Sequence, residues 1–159
     1  MARTHVVERS QIVRRPLDEV FAFFADAHNL ERITPGFLRF RITTPAPIEM
    51  RRGALIDYRL ELYGVGFAWQ TRIAEWEPGR RFVDVQLRGP YRRWEHTHTF
   101  TPVAEGTRVD DRVEYELPLG PLGDVAHALF VRRSVNRIFD HRRHEIERAF
   151  ASGAAAMPG

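Results

Sequence analysis

Apolar and polar residues alternate with a period of two through the middle of this chain and follow a helical period only towards its ends. Residues 5–14 are β-prone. Pro16 then opens a short helical pattern in which Leu17, Val20, Phe21 and Phe24 share one face. A second short helix is expected over His28–Ile33, stopped by Thr34-Pro35-Gly36. Leu38, Phe40 and Ile42 alternate with Arg39, Arg41 and Thr43 as a strand should, and Pro45 and Pro47 mark a loop.

Residues 54–117 read as strands joined by hairpins, and each turn implies a set of facing residues. Around Tyr63-Gly64-Val65-Gly66, Leu62 faces Phe67, Leu60 faces Trp69, Tyr58 faces Thr71 and Ile56 faces Ile73. Around Pro78-Gly79, Ile73 meets Val85 and Thr71 meets Leu87. Around Gly89-Pro90, Leu87 meets Trp94, Val85 meets His96 and Val83 meets His98. Around Glu105-Gly106, Trp94 meets Tyr115, His96 meets Val113, His98 meets Asp111 and Phe100 meets Val109. These registers agree on one apolar face. They place Asp57, Arg59, Arg72, Gln86, Arg88, Arg93, Glu95, Arg112, Glu114 and Glu116 on the other, solvated one.

Pro118–Gly123 reads as a loop, and Asp124 is placed to cap a long helix running to about Phe150. Its apolar stripe is Val125, Leu129, Val135, Ile138, Phe139, Ile146 and Phe150. The order is one strand, two short helices, six strands and a long C-terminal helix. It predicts an α+β helix-grip fold, a curved antiparallel sheet wrapped around that helix. One helix cannot fill so bent a sheet, so an internal cavity is expected.

With 159 residues the chain is about one domain long. That domain is set at 1–150, followed by a flexible tail at 151–159 rich in small residues. There is no Cys, and all 24 basic side chains are Arg. Disulfides, thiol nucleophiles, Schiff-base lysines and the P-loop lysine are thereby excluded. Ser10, Ser134 and Ser152 lie outside any Gly-x-Ser-x-Gly turn, which removes that class of hydrolase. The net charge is only +3, and the Arg pairs 80-81 and 92-93 fall at opposite strand ends. They read as solvated element ends, not a nucleic-acid surface. No apolar run is long enough to span a membrane, and residues 1–8 carry no secretory apolar core, so a cytoplasmic location is expected.

His96, His98 and Asp111 are the most chemically informative group, aimed inward among apolar neighbours. Three readings stay open: a satisfied polar network in the core, contact with a ligand, or general acid–base catalysis. His-x-His with a facing carboxylate also has the donor types of a metal site, but spacing alone does not establish one, and neither a metal nor a cofactor is assigned. Tyr58, Thr71 and Tyr115 add hydroxyls to the same face, and Leu60, Trp69, Val85, Leu87, Trp94 and Val113 supply its apolar part. Arg132, Asn136 and Arg142 lie near the helix stripe, where an Arg either meets an acidic head group or snorkels to the surface. Asn136 joins the candidate ligand contacts. Gly64-Val65-Gly66 is a turn and not a dinucleotide fingerprint.

The chain resembles the START-like superfamily, also called SRPBCC or the polyketide-cyclase and lipid-transport group, over residues 5–150. The resemblance is carried by Asn29-Leu30 with Ile33-Thr34-Pro35, Ile56-Asp57-Tyr58, and Trp69 with Thr71 and Ile73. Its densest stretches are Phe82–Tyr91 and Trp94–Phe100, completed by Asp111, Tyr115, Leu117–Gly120 and Ile138-Phe139 with Arg142. It implies a cavity that binds a small hydrophobic or amphipathic molecule, as carrier or sensor, without stable membrane insertion. Two alternatives remain: an aromatase, cyclase or dehydratase using His98 with Asp111, and a protein-interaction module with a vestigial cavity. The resemblance does not select the chemistry.

Overall fold

The computed structural model describes residues 3–62 and 64–151. Tyr63 of the first expected hairpin, and the expected tail from 152 onward, lie outside them. The elements run β1 (Thr4–Val13), α1 (Leu17–Ala25), α2 (Asn29–Ile33), a 3-10 turn (Gly36–Leu38), β2 (Arg41–Ile42) and β3 (Leu55–Leu62). They continue with β4 (Val65–Glu77), β5 (Arg81–Arg88), β6 (Arg93–Val103), β7 (Gly106–Glu116), α3 (Pro121–Ala126), a π-helical turn (His127–Val131) and α4 (Arg132–Ala151). The strands form one antiparallel sheet ordered β1-β7-β6-β5-β4-β3-β2. This is the expected α+β helix-grip architecture.

Three expectations of register are corrected. In the β3–β4 hairpin Leu62 pairs with Val65, so Tyr58 faces Trp69 and Ile56 faces Thr71. A two-residue turn fits strand twist better than the expected four-residue loop, and a shift of two preserves the faces. The β4–β5 pairing is irregular between Gln70 and Thr71 and between Ile73 and Glu75, which sets Ile73 opposite Asp84 instead of Val85. β5 then meets β6 one residue out of the expected step: Phe82 faces His98 and Asp84 faces His96, while Val83 faces Thr97 and Val85 faces Glu95. A one-residue slip exchanges the faces of a strand. Asp84 therefore turns inward and Leu87 is left 47% exposed. The β6–β7 register is as expected, from Trp94 with Tyr115 to Phe100 with Val109.

The strand expected over residues 38–43 shrinks to Arg41–Ile42, because Leu38 belongs to the 3-10 turn and Arg39 takes a left-handed conformation (φ 46°). The long helix begins at Pro121, not at an Asp124 cap; Asp124 sits in the first turn with its carboxylate 3.6 Å from His5 Nε2. The π turn adds a residue to the helical repeat and so rotates the faces on either side of it. Val125 and Leu129 are accordingly exposed, whereas Val135, Phe139, Ile146 and Phe150 are buried. Among the described residues no helix is long and apolar enough to cross a membrane.

Apolar burial is divided among three clusters. Phe21, Phe23 and Phe24 of α1 pack with Phe82, Phe100, Ile146 and Phe150 at one end. Ile56, Tyr58, Leu60, Trp69 and Ile73 line the β3–β4 side, and Val113, Tyr115, Val135 and Phe139 close the α4 side. The tight β6–β7 turn needs Gly106: at φ 144° a Cβ there would lie 2.2 Å from the Val13 carbonyl oxygen.

Candidate functional site

Between the three clusters lies a cavity of about 170 Å³. A dry engineered cavity of roughly 150 Å³ holds benzene, so this space suits a molecule of at least one ring. Of the candidate contacts read from the sequence, Tyr58, Leu60, Trp69, Thr71, Trp94, His96 and His98 line it. Sequence reasoning missed Phe24, Phe82, Asp84, Tyr91 and Phe139 as wall residues, and left Arg142, which also lines the wall, open between a head-group contact and a surface side chain. Val85 and Leu87 are turned away by the β5 slip. Val113 and Tyr115 are buried beneath α4, and Tyr115 instead places its hydroxyl 2.7 Å from His127 Nε2. Asn136 accepts a hydrogen bond from Arg9 Nη2 at 2.9 Å and is no part of the wall.

The polar corner of the cavity is built on three neighbouring strands and α4. His96 and His98, two apart on β6, stack ring on ring with centroids 3.7 Å apart. One edge of this stack faces Asp111 on β7: His96 Nε2 is 2.8 Å and His98 Nδ1 3.4 Å from Asp111 Oδ1. The other edge faces Asp84 on β5, with His98 Nε2 at 2.6 Å and His96 Nδ1 at 4.0 Å from Oδ2. Arg142 of α4 reaches Asp111 Oδ1 from behind with Nη2 at 3.5 Å. Phe82 stacks on the outer face of His98 at 4.1 Å. Arg142 is buried, not snorkelling, while Arg132 is exposed.

This geometry divides the two imidazoles. Burial, and then the charge of His98, push His96 down to about 4. Burial also opposes charge on His98, but its hydrogen bonds to Asp111 and Asp84 outweigh that and raise it above the usual imidazole value. Burial alone would raise both carboxylates. Arg142 and the two imidazoles hold Asp111 well below its usual range, and the His98 bond, with neighbouring positive charge, lowers Asp84. Both nitrogens of His98 face carboxylate oxygens, an arrangement that suits the doubly protonated ring; with His98 so charged and His96 neutral, two carboxylates and the Arg142 guanidinium leave the corner without net charge. Neutral His96 donates from Nε2 to Asp111, which leaves Nδ1 with a bare lone pair.

Asp84, His96 and His98 each offer a donor atom within 4.8 Å of the others, a set that suits a divalent transition metal in chemical type. To bind one, Asp84 would have to leave His98. The near-parallel rings, 27° apart, also aim their lone pairs alongside one another instead of at a common point. Elsewhere on the wall, Thr71 Oγ1 accepts from Trp69 Nε1 at 3.0 Å and lies 3.2 Å from the Tyr58 hydroxyl. The Arg pairs at the strand ends meet carboxylates, Arg81 with Glu75 and Arg93 with Glu95 and Glu114, as solvated ends should.

Comparison with solved structures agrees on the fold. The protein TTHA0849 from Thermus thermophilus superposes with a TM-score of 0.72 at 19% identity, covering 95% of this chain and 99% of that one. Protein CV1439 from Chromobacterium violaceum gives 0.70 at 14%, covering 91% and 96%. The di-domain ARO/CYC StfQ from the steffimycin biosynthetic pathway gives 0.71 at 18%, covering 97% of this chain and 52% of that one. The comparison with curated proteins gives no match. The profile of the family described as polyketide cyclase / dehydrase and lipid transport matches residues 4–150, nearly the whole length, and the chain belongs to that family.

Proposed function

We propose that this protein binds a small, largely apolar molecule in the cavity between sheet and α4, as an intracellular carrier or sensor in the cytoplasm. The observation that carries the reading is the cavity itself: about 170 Å³ walled by Trp69, Trp94, Phe24 and Phe139, with a charge-balanced polar corner at one side. Concave, mostly apolar space with a few placed polar groups is the usual form of a small-molecule site. Native mass spectra of freshly purified protein, set against denaturing spectra of the same sample, test it. A non-covalent organic adduct is expected. A bare chain that also takes up no one-ring hydrocarbon would overturn the reading.

A second reading is favoured by the chain of proton-holding groups that runs back from the wall, Asp84–His98–Asp111. It is an acid–base enzyme of the cyclase or dehydratase kind. Both nitrogens of His98 face carboxylates, and Asp84 and His98 are the members of that chain that line the cavity. On this reading His98→Asn abolishes turnover of the bound compound while the fold persists, and retained turnover rejects it.

A further inference from the structure

The guanidinium of Arg142 is buried, its side chain only 9% exposed, and incompletely paired. Nε has no hydrogen-bond acceptor among the described residues. Both contacts that Arg142 makes to polar groups run through Nη2, at 3.5 Å to Asp111 Oδ1 and 3.5 Å to His98 Nδ1. With His98 charged, Nδ1 carries a proton and donates to Asp111, so it cannot accept from Arg142. One long bond to Asp111 is then the only one that Nη2 donates, and the buried Nε donates none. Phe24 and Phe139 flank the group at 5.5 and 5.9 Å, which favours a cation but supplies no acceptor to Nε. Buried polar groups in native proteins are almost always paired, and the side chain lines the cavity.

We propose that the bound molecule carries an uncharged carbonyl oxygen on an aromatic ring, and that this oxygen accepts a hydrogen bond from Arg142. The inference rests on the cavity being a ligand site and deepens that reading. Charge decides against an acidic head group. Asp84 and Asp111 already stand in the corner, balanced by Arg142 and His98, so a bound carboxylate would add an uncompensated buried charge. A carbonyl adds two acceptor lone pairs and has no proton of its own to place. The rings of Tyr58, Trp69, Trp94 and Phe139 line the space and offer edges and faces to an aromatic body.

Three one-ring probes of nearly equal shape separate the possibilities: ethylbenzene, acetophenone and benzoate, titrated at neutral pH by ligand-observed NMR. Acetophenone is expected to bind about tenfold or more tightly than ethylbenzene, because a hydrogen bond to a charged donor is gained. Benzoate is expected to bind more weakly than acetophenone, and the carbonyl 13C signal of bound acetophenone to move downfield. Equal binding of ethylbenzene and acetophenone overturns the carbonyl inference and leaves the cavity reading standing. So does preferential binding of benzoate. Failure of all three to bind overturns both. Arg142→Met paired with Asp111→Asn removes the guanidinium together with the carboxylate it neutralises, and is expected to bring the two uncharged probes within about threefold of each other. The comparison of probes on the wild-type protein decides the matter even if that variant does not fold.

Discussion

Asp84 Oδ2 lies 2.6 Å from His98 Nε2 across adjacent strands, and this contact, with Asp111 on the opposite nitrogen, favours charge on His98, while burial disfavours it on the stacked His96. Their titrations should separate. Side-chain 15N spectra are expected to show His96 neutral down to about pH 4 and His98 still charged above the ordinary imidazole value of about 6.5. Asp84→Asn should lower the His98 midpoint. Two rings titrating together near the ordinary value would contradict the assignment.

The same groups set the pH dependence of stability. His96 has a folded-state value of about 4, below its unfolded value, so the unfolded chain binds more protons between about pH 6.5 and 4. Stability falls as pH drops through that window, by on the order of 3 kcal/mol in full. Asp84 and Asp111, both lowered, add a further loss as pH falls below the ordinary carboxylate range. His98 acts in the opposite sense: its contribution is present below its unfolded value and is lost as pH rises through its raised folded value. Urea unfolding from pH 4 to 8 should show the acid limb, and His96→Gln should flatten it. An unchanged limb in that variant would remove His96 as its origin.

Arg142→Met should be costly because it strands Asp111 in the interior. Removing one partner of a buried ion pair typically costs about 3–5 kcal/mol. Adding Asp111→Asn should recover part of that loss, measured as a coupling in a double-mutant cycle. Additive effects would mean that the 3.5 Å contact contributes little.

Thr71→Val keeps the shape of the β4 side chain but takes away the oxygen shared by Trp69 Nε1 and the Tyr58 hydroxyl. A loss of about 1–3 kcal/mol is expected, seen as a Tm lowered by several degrees. No change would imply that water satisfies both groups.

Ile138 lines the cavity from α4. Replacing it with Trp should occupy the space, abolish binding of ethylbenzene or acetophenone, and leave Tm within a few degrees of wild type, since the ring enters empty volume. Undiminished probe binding by this variant would place the ligand elsewhere.

Much of the fold was legible because its signals are local. Pro16 and the Phe21–Phe24 spacing mark α1, and the β6–β7 hairpin is pinned by apolar partners on both strands, from Phe100 with Val109 to Trp94 with Tyr115. His96, His98 and Asp111 were found through that hairpin. Asp84 was hidden because Val83, Val85 and Leu87 alternate with Asp84 and Gln86, a pattern that alone points the carboxylate to solvent. One available signal ran against it: two inward histidines need more acceptor than Asp111 supplies. In the structure Gln86 bonds both the N–H and the carbonyl of Tyr91, at 3.2 and 2.6 Å, which holds the turn in the register that brings Asp84 inside.

By itself the sequence determined the order of elements, the helix-grip architecture and the presence of buried titratable groups on β6 and β7. Hydrophobic period and turn chemistry act over a few residues and do not depend on a distant partner. Only the tertiary structure decided which face of β5 is inside, that Arg142 is buried instead of snorkelling, and how much space remains between sheet and helix. Those outcomes depend on a bulge, a π turn and the closing of a curved sheet on α4. Each is a small local shift that packing between distant segments converts into the chemistry of the cavity wall.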